Sequence, residues 1–401
     1  MTSTRREFVR DSIFTSALAM GTLASSAPTE TEMPKKKLRV LLLGGTGFLG
    51  PALIDAVLAN GHELTLFNSG TTEARREKGG RDSVIPEGVE VLIGNRDPLL
   101  TADDRRLRGD PDVELKRDPN SPRGLSSLAG RSWDVAIDTS GYFPRMVDAS
   151  ASFLAPRVGQ YIFISTISVY TDNSMPGMDE SAEVHTLTDP TTEEFGASFE
   201  NYGAGKADCE KAAEAAMPGR VTNIRPGYIV GRLDTSRRYA YWPWRVAQGG
   251  EMLVPGTADD PVQIIDVRDL AEWTVHCAEM GTVGVFNATG PVPAMTMGTM
   301  LDGCKAELGG EASFVYADPT FLAEQEMNHP IWASPEGESA GFHSVSVKKA
   351  VDAGLKFRTQ GDTARSTLDW LQSLPDDLQA RFVPGNLKEK EPEALKLWAE
   401  R

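Results

Sequence analysis

Leu41-Leu42-Leu43-Gly44-Gly45-Thr46-Gly47-Phe48-Leu49-Gly50 closes a continuous apolar run with Gly44, Gly47 and Gly50 set three apart. The run from Val40 to Leu43 has the unbroken apolar character of a central parallel strand buried on both faces. Residues Leu49 to Leu58 read as an amphipathic helix, and Pro51 suits its first turn, where a missing N–H costs little. A strand, a glycine turn and a helix N-terminus together make a cradle for a pyrophosphate. Gly44 permits the tight turn, Gly47 lets the backbone approach phosphate, and Gly50 lets the helix lie against the strand. The expected fold is therefore α/β, a doubly wound parallel sheet. Thr46, Phe48 and Leu49 complete its dinucleotide-binding loop.

Far downstream, Tyr202-Gly203-Ala204-Gly205-Lys206 places a tyrosine and a lysine on what reads as a helix running on through Ala213. A spacing of four puts both side chains on one face. A free tyrosine titrates near ~10 and is a poor base at neutral pH. A neighbouring ammonium, with the charge of a nicotinamide, favours the phenolate. Tyr202 can then take or return a hydroxyl proton while hydride moves at the adjacent carbon, and Lys206 can also hold the nicotinamide ribose.

The Gly-x-x-Gly-x-x-Gly turn and the later Tyr-x-x-x-Lys pair, in this order, resemble the extended short-chain dehydrogenase/reductase family, which includes nucleotide-sugar epimerases and dehydratases. The resemblance runs from about Lys37 to about Leu371. It implies a Rossmann-type sheet with a smaller C-terminal substrate lobe. Gln160 to Ser165 reads as a buried strand that continues into Thr166-Ile167-Ser168-Val169-Tyr170. The family's hydroxyl on the reacting oxygen lies four residues before the Val-Tyr tyrosine, which places Thr166 in the catalytic set with Tyr202 and Lys206; Ser165 is the alternative. Ser168 is expected at the substrate. Dehydratases carry Asp-Glu where this chain has Ile167-Ser168, so elimination by that route is disfavoured.

The second strand, Glu63 to Phe67, ends in Asn68 rather than the acid that NAD-preferring members use for the adenosine ribose. Asn68 can bind the ribose without repelling a 2′-phosphate, and Arg75, Arg76 and Lys78 follow, either as phosphate partners or as ordinary solvated charges. The cofactor is thus NAD or NADP, tightly bound. By resemblance, Asn95 and Arg96 border the adenine, Thr139 lies on a cofactor-side loop with Tyr142 facing substrate, and Pro226-Gly227 borders the nicotinamide.

The expected organisation is a leader over residues 1–27, a linker over 28–36, a dinucleotide-binding domain over 37–230, a substrate lobe over 231–374 and a tail over 375–401. Thr4-Arg5-Arg6-Glu7-Phe8-Val9-Arg10, followed by a modestly apolar stretch rich in small residues to Ala27, resembles a twin-arginine export signal. The stretch is too short and too weakly apolar for a membrane span, and cleavage after Ala24 or Ala27 would give a periplasmic or extracellular protein. A net charge of −16 argues against nucleic acid and anionic membrane surfaces as partners. Cys209, Cys277 and Cys304 lack metal-like spacing, the five histidines are scattered, and no metal is expected.

Between Asp234 and Gly250, Arg238, Tyr239, Tyr241, Trp242, Trp244 and Arg245 crowd together with Arg237. Rings and guanidinium groups suit a polyol or an anionic sugar, so Trp242 and Arg245 are candidate substrate residues; the alternative is a helix packing its aromatics into the lobe. The expected activity is an NAD(P)-dependent epimerase or oxidoreductase acting on a sugar hydroxyl, with the export machinery as a partner and a homodimer compatible with the reading. The competing readings are an NADP-dependent carbonyl reductase and a non-catalytic binding protein that keeps the fold.

Overall fold

The computed structural model describes residues 36–79, 81–98, 124–236, 238–382 and 385–401; the leader and Arg237 lie outside them. Residues 36–401 form one compact unit. The chain opens with β1 (Arg39–Leu43), α1 (Gly50–Ala59), β2 (Glu63–Asn68), α2 (Thr71–Lys78) and β3 (Glu90–Ile93). It continues through β4 (Val135–Asp138), α3 (Pro144–Leu154), β5 (Gln160–Ile164), α4 (Tyr202–Ala216), β6 (Val221–Pro226) and β7 (Tyr228–Val230). The remaining elements are α5 (Tyr241–Ala247), β8 (Gly250–Pro255), β9 (Pro261–Val262), β10 (Ile264–Asp266), α6 (Val267–Met280), β11 (Gly284–Ala288), β12 (Met295–Thr296), α7 (Met297–Leu308), β13 (Ala312–Ala317), α8 (Pro319–Glu324), α9 (Lys348–Asp352), α10 (Gln360–Gln372), α11 (Asp376–Phe382) and α12 (Gly385–Ala399).

Seven strands form one parallel sheet in the order β11-β6-β5-β4-β1-β2-β3. The fold is α/β and Rossmann-like, as the glycine turn predicts. From β1 the chain moves outward to β2 and β3, then returns to place β4 on the other side of β1. That reversal opens a crevice at the carboxyl ends of β1 and β4, where ligands of doubly wound sheets bind. Strand alternation divides the apolar side chains between two cores. Val40, Leu42, Ile162, Ile164 and Ile224 meet α1 and α6 on one face. Leu41, Leu43, Ala136, Tyr161 and Phe163 form the core of the other face, where α3 packs on α4.

Two glycines of the first turn are dictated by this packing. Gly44 has φ +88°, in the left-handed region. A Cβ on Gly50 would sit 2.1 Å from the Gly45 carbonyl oxygen, so only glycine lets α1 start this close to the strand end.

The lobe has its own core, and it corrects two expectations. Trp242 is fully buried and donates Nε1–H to the Pro330 carbonyl at 3.1 Å. Arg245 is buried against Glu391 on α12 at 2.7 Å and donates to the carbonyls of Gly249 and Glu251. Both are therefore framework residues rather than substrate contacts: α5 turns its aromatics into the lobe, and the guanidinium binds groups of its own lobe. The segment 375–401 is likewise part of the lobe, because Leu387 and Ala394 belong to its core and Glu391 accepts from the Leu253 N–H as well as from Arg245. Asp266 caps α6, and Asp269 receives Arg358.

Glu391→Ala would strand a buried guanidinium. The expected cost is about 3–5 kcal/mol of folding stability, read by urea unfolding of the purified chain; a midpoint unchanged from the parent would show that the C-terminal helix is dispensable to the lobe.

Candidate active site

The crevice at the switch point is a cleft of about 460 Å³, within the range of small-molecule sites. Its floor is the first turn: Gly44, Thr46, Gly47, Phe48, Leu49 and Gly50 all line it. A Cβ on Gly47 would meet nothing nearer than the Gly44 carbonyl oxygen at 3.9 Å, so the space beside it is open for a ligand. Thr139, at the end of β4, donates its hydroxyl to the carbonyls of Leu43 and Gly44 at 3.0 and 3.1 Å and fixes the turn against the sheet. Asn68, Ser69, Thr71, Thr72 and Arg75 line the part of the cleft that follows β2, and Asn95 the part after β3.

Arg96 also reaches the lining, but its guanidinium is held by Asp138. It donates to both Asp138 oxygens and to the hydroxyls of Ser140 and Ser150, and the Tyr161 hydroxyl donates to the same carboxylate at 2.5 Å. Burial alone would raise the Asp138 carboxyl; Arg96 and the hydrogen bonds outweigh it and hold the group below the usual carboxylate range. Arg96 is accordingly a wall of the cleft more than a free cation for a ligand.

At the other end of the cleft stand Tyr202 and Lys206, the first residue of α4 and the residue one turn on. Lys206 is 2 % exposed. Its ammonium donates to the carbonyls of Gly141 at 2.8 Å and Ile164 at 2.6 Å and lies 4.1 Å from the centre of the Phe163 ring. Burial pushes its pKa down to about 8. Tyr202 meets Phe195 edge-on at 5.9 Å, and Phe195 also packs on Tyr142, which lines the cleft near Lys206.

Thr166 begins the turn Ile167–Val169; its Oγ1 accepts from the Ser168 N–H and donates to the Ser168 hydroxyl at 3.2 Å. Thr166, the exposed Ser168 and the buried Pro226 lie next to the cleft-lining residues rather than among them. Ser165 and Ile229 take those places on the lining. The Ser165 hydroxyl and the Asn68 amide nitrogen are buried with no hydrogen-bond partner among the described residues. Two orphaned polar atoms on one lining, above an open glycine, are what a bound polar ligand would satisfy, and the residues present fit a dinucleotide.

Sequence reasoning missed the brace behind α4. Glu210 receives Arg225 at 2.6 Å, Arg225 donates to the Tyr170 hydroxyl at 3.0 Å, and Tyr170 donates to Asn287 at 2.7 Å. The signal was available: Glu210 follows Lys206 by the same four residues that separate Lys206 from Tyr202, so one helix face carries all three. Among the described residues no group of histidine, cysteine and acidic side chains could hold a metal ion.

Comparison with known proteins agrees with this architecture. No family model matches the chain. A chloroplast stem-loop binding protein of 41 kDa from Arabidopsis thaliana is 25% identical over 287 residues, covering 70% of this chain and 66% of that protein. The epimerase family protein SDR39U1 of Bos taurus is 25% identical over 268 residues, covering 65% of this chain and 76% of that one. Among solved structures, the Bordetella bronchiseptica enzyme WbmG in complex with NAD and UDP superposes with a TM-score of 0.54 at 16% identity, covering 87% of this chain and 98% of that chain. At that identity the match speaks to the fold alone.

Two substitutions separate binding from chemistry. Gly47→Val fills the open space beside the turn and should abolish dinucleotide binding in a folded protein, whereas Tyr202→Phe should keep binding and lower turnover about 10²–10⁴-fold. Calorimetry with dinucleotide and steady-state turnover on a genuine substrate, applied to both variants, check the division.

Proposed function

We propose that the protein is an NAD(P)-dependent enzyme that inverts a hydroxyl-bearing carbon of a sugar, with Tyr202 as the proton-transfer group. The observation that carries this reading is the placement of Tyr202 and the buried Lys206 on the same cleft as the Gly44–Gly50 turn. The bound nicotinamide would accept hydride from the carbon and return it. Tyr202 takes the hydroxyl proton as the carbonyl forms and gives it back when the hydroxyl is restored. Lys206, positively charged below its lowered pKa of about 8, favours the ionised Tyr202. The hydroxyl that steadies the reacting oxygen is that of Thr166, which can exchange the bond it donates to Ser168 for one to substrate, or that of Ser165 beside it, which lines the cleft with no partner among the described residues.

Two considerations favour inversion, the first over elimination and the second over net reduction. The chain lacks the acids a dehydratase needs, having Ile167-Ser168 between Thr166 and Val169-Tyr170. A leader of the twin-arginine kind would carry the folded protein, cofactor inside, to a compartment with no dinucleotide pool to exchange it. A cofactor reduced and reoxidised within one turnover needs no such pool, and a free or glycosidic sugar suits that location better than a nucleotide sugar. The similarity to a stem-loop binding protein raises a second reading, RNA binding, against which the net charge of −16 weighs.

Incubation of purified protein with candidate sugars in deuterated water, without added dinucleotide, tests the cycle. Epimerised product free of solvent deuterium at the inverted carbon is expected; stoichiometric consumption of added NADH or NADPH would make the enzyme a reductase.

The export proposal concerns residues 1–27, outside the described residues. Replacing Arg5 and Arg6 together by lysine keeps the charge and should block translocation, read as precursor accumulating in the cytoplasm on fractionation. Normal appearance of the doubly substituted protein in the periplasm would dismiss the leader.

A further inference from the structure

We infer that the dinucleotide taken by this cleft is the 2′-phosphorylated one, NADP, and that Asn68, Ser69, Thr71 and Arg75 form the cradle for its extra phosphate. The inference rests on the dinucleotide reading above and specifies it. It starts at the end of β2, where a doubly wound sheet that prefers NAD presents a carboxylate to the ribose hydroxyls. Here the position is Asn68, 8 % exposed, whose amide nitrogen is a donor with no partner among the described residues. An unpartnered donor on a lining residue suits an anion, and an amide in place of a carboxylate does not repel one.

The next residues add to the same polarity. Gly70, at φ +77°, turns the chain so that α2 starts at Thr71. The Thr71 N–H donates to the Ser69 hydroxyl oxygen at 3.5 Å, and no N-cap side chain holds the N–H groups that follow, so this helix N-terminus still favours an anion. The Ser69 and Thr71 hydroxyls lie 3.1 Å apart and both line the cleft, as do Thr72 and Arg75. Glu73, the acid in the first turn of α2, is not on the lining; it faces Arg76 at 3.5 Å and receives the Ser83 hydroxyl at 2.5 Å. The one acid on the lining among the described residues is Asp97, and Arg145 holds it at 2.8 Å. An amide, hydroxyls, a guanidinium and a helix N-terminus, with no unpaired carboxylate, are chemistry for a phosphate monoester.

The test titrates nucleotide-free purified protein with NADP⁺, NAD⁺ and 2′,5′-ADP by calorimetry, with circular dichroism as the control for folding. A charge-assisted phosphate contact should make NADP⁺ at least about tenfold tighter than NAD⁺, and 2′,5′-ADP should compete with NADP⁺. Arg75→Ala should weaken NADP⁺ about tenfold and leave NAD⁺ within about twofold. Asn68→Asp, nearly isosteric, puts a carboxylate where the phosphate sits and should reverse the order of the two dinucleotides. A parent protein that binds NAD⁺ as well as NADP⁺, or better, overturns the inference and leaves the dinucleotide reading standing. A folded parent that binds neither overturns that reading itself.

Discussion

A buried ion pair, Arg96 with Asp138, organises the carboxyl edge of the sheet. Asp138 ends β4 beside the switch point, and Arg96 arrives from the loop after β3. Ser140, Ser150 on α3 and Tyr161 on β5 add hydrogen bonds to the pair, and among the described residues only the Arg96 Nε–H is left without a partner. One guanidinium thus joins the strand on one side of the crevice to the strands and helix on the other. Such a pair is tolerable in a protein interior only when its hydrogen bonds are nearly complete, which is the condition met here. Arg96 is part of the wall of the cleft, and the carbonyl of Gly141, shortly after Asp138 in the chain, receives Lys206.

The Tyr202–Lys206 end of the cleft obeys a related rule. Lys206 is a buried charge with no carboxylate bonded to it among the described residues, held by two backbone carbonyls and an aromatic face. Burial of this ammonium lowers its pKa to about 8. Glu210 lies one turn further along α4 and anchors the helix through Arg225 and Tyr170.

The lobe illustrates how aromatic and cationic residues mislead when read alone. Tyr239, Tyr241 and Trp242 are all fully buried, and Arg245 is closed off by Glu391 from a helix nearly 150 residues downstream. Rings and guanidinium groups serve recognition at a surface and packing in a core with the same chemistry. Only the arrival of α12, with Leu387 and Ala394 as its apolar contacts and Glu391 as its charge, decides between the two.

The local sequence by itself determined the first turn, the parallel sheet and the helix that carries Tyr202 and Lys206. These depend on short-range constraints: an apolar run, glycines at fixed offsets, and a spacing of four on a helix. It also placed Asn68 at the end of β2 and Thr139 at the end of β4, because each follows a strand that is legible on its own. Tertiary structure alone decided which polar atoms were left without partners and which charges were neutralised. The Asn68 amide nitrogen and the Ser165 hydroxyl have no partner among the described residues, whereas Arg96 and Arg245, equally suggestive as letters, are consumed by Asp138 and Glu391. The reason is physical. A buried charge takes its meaning from the partner that desolvation forces upon it, and in both pairs that partner lies more than forty residues away along the chain.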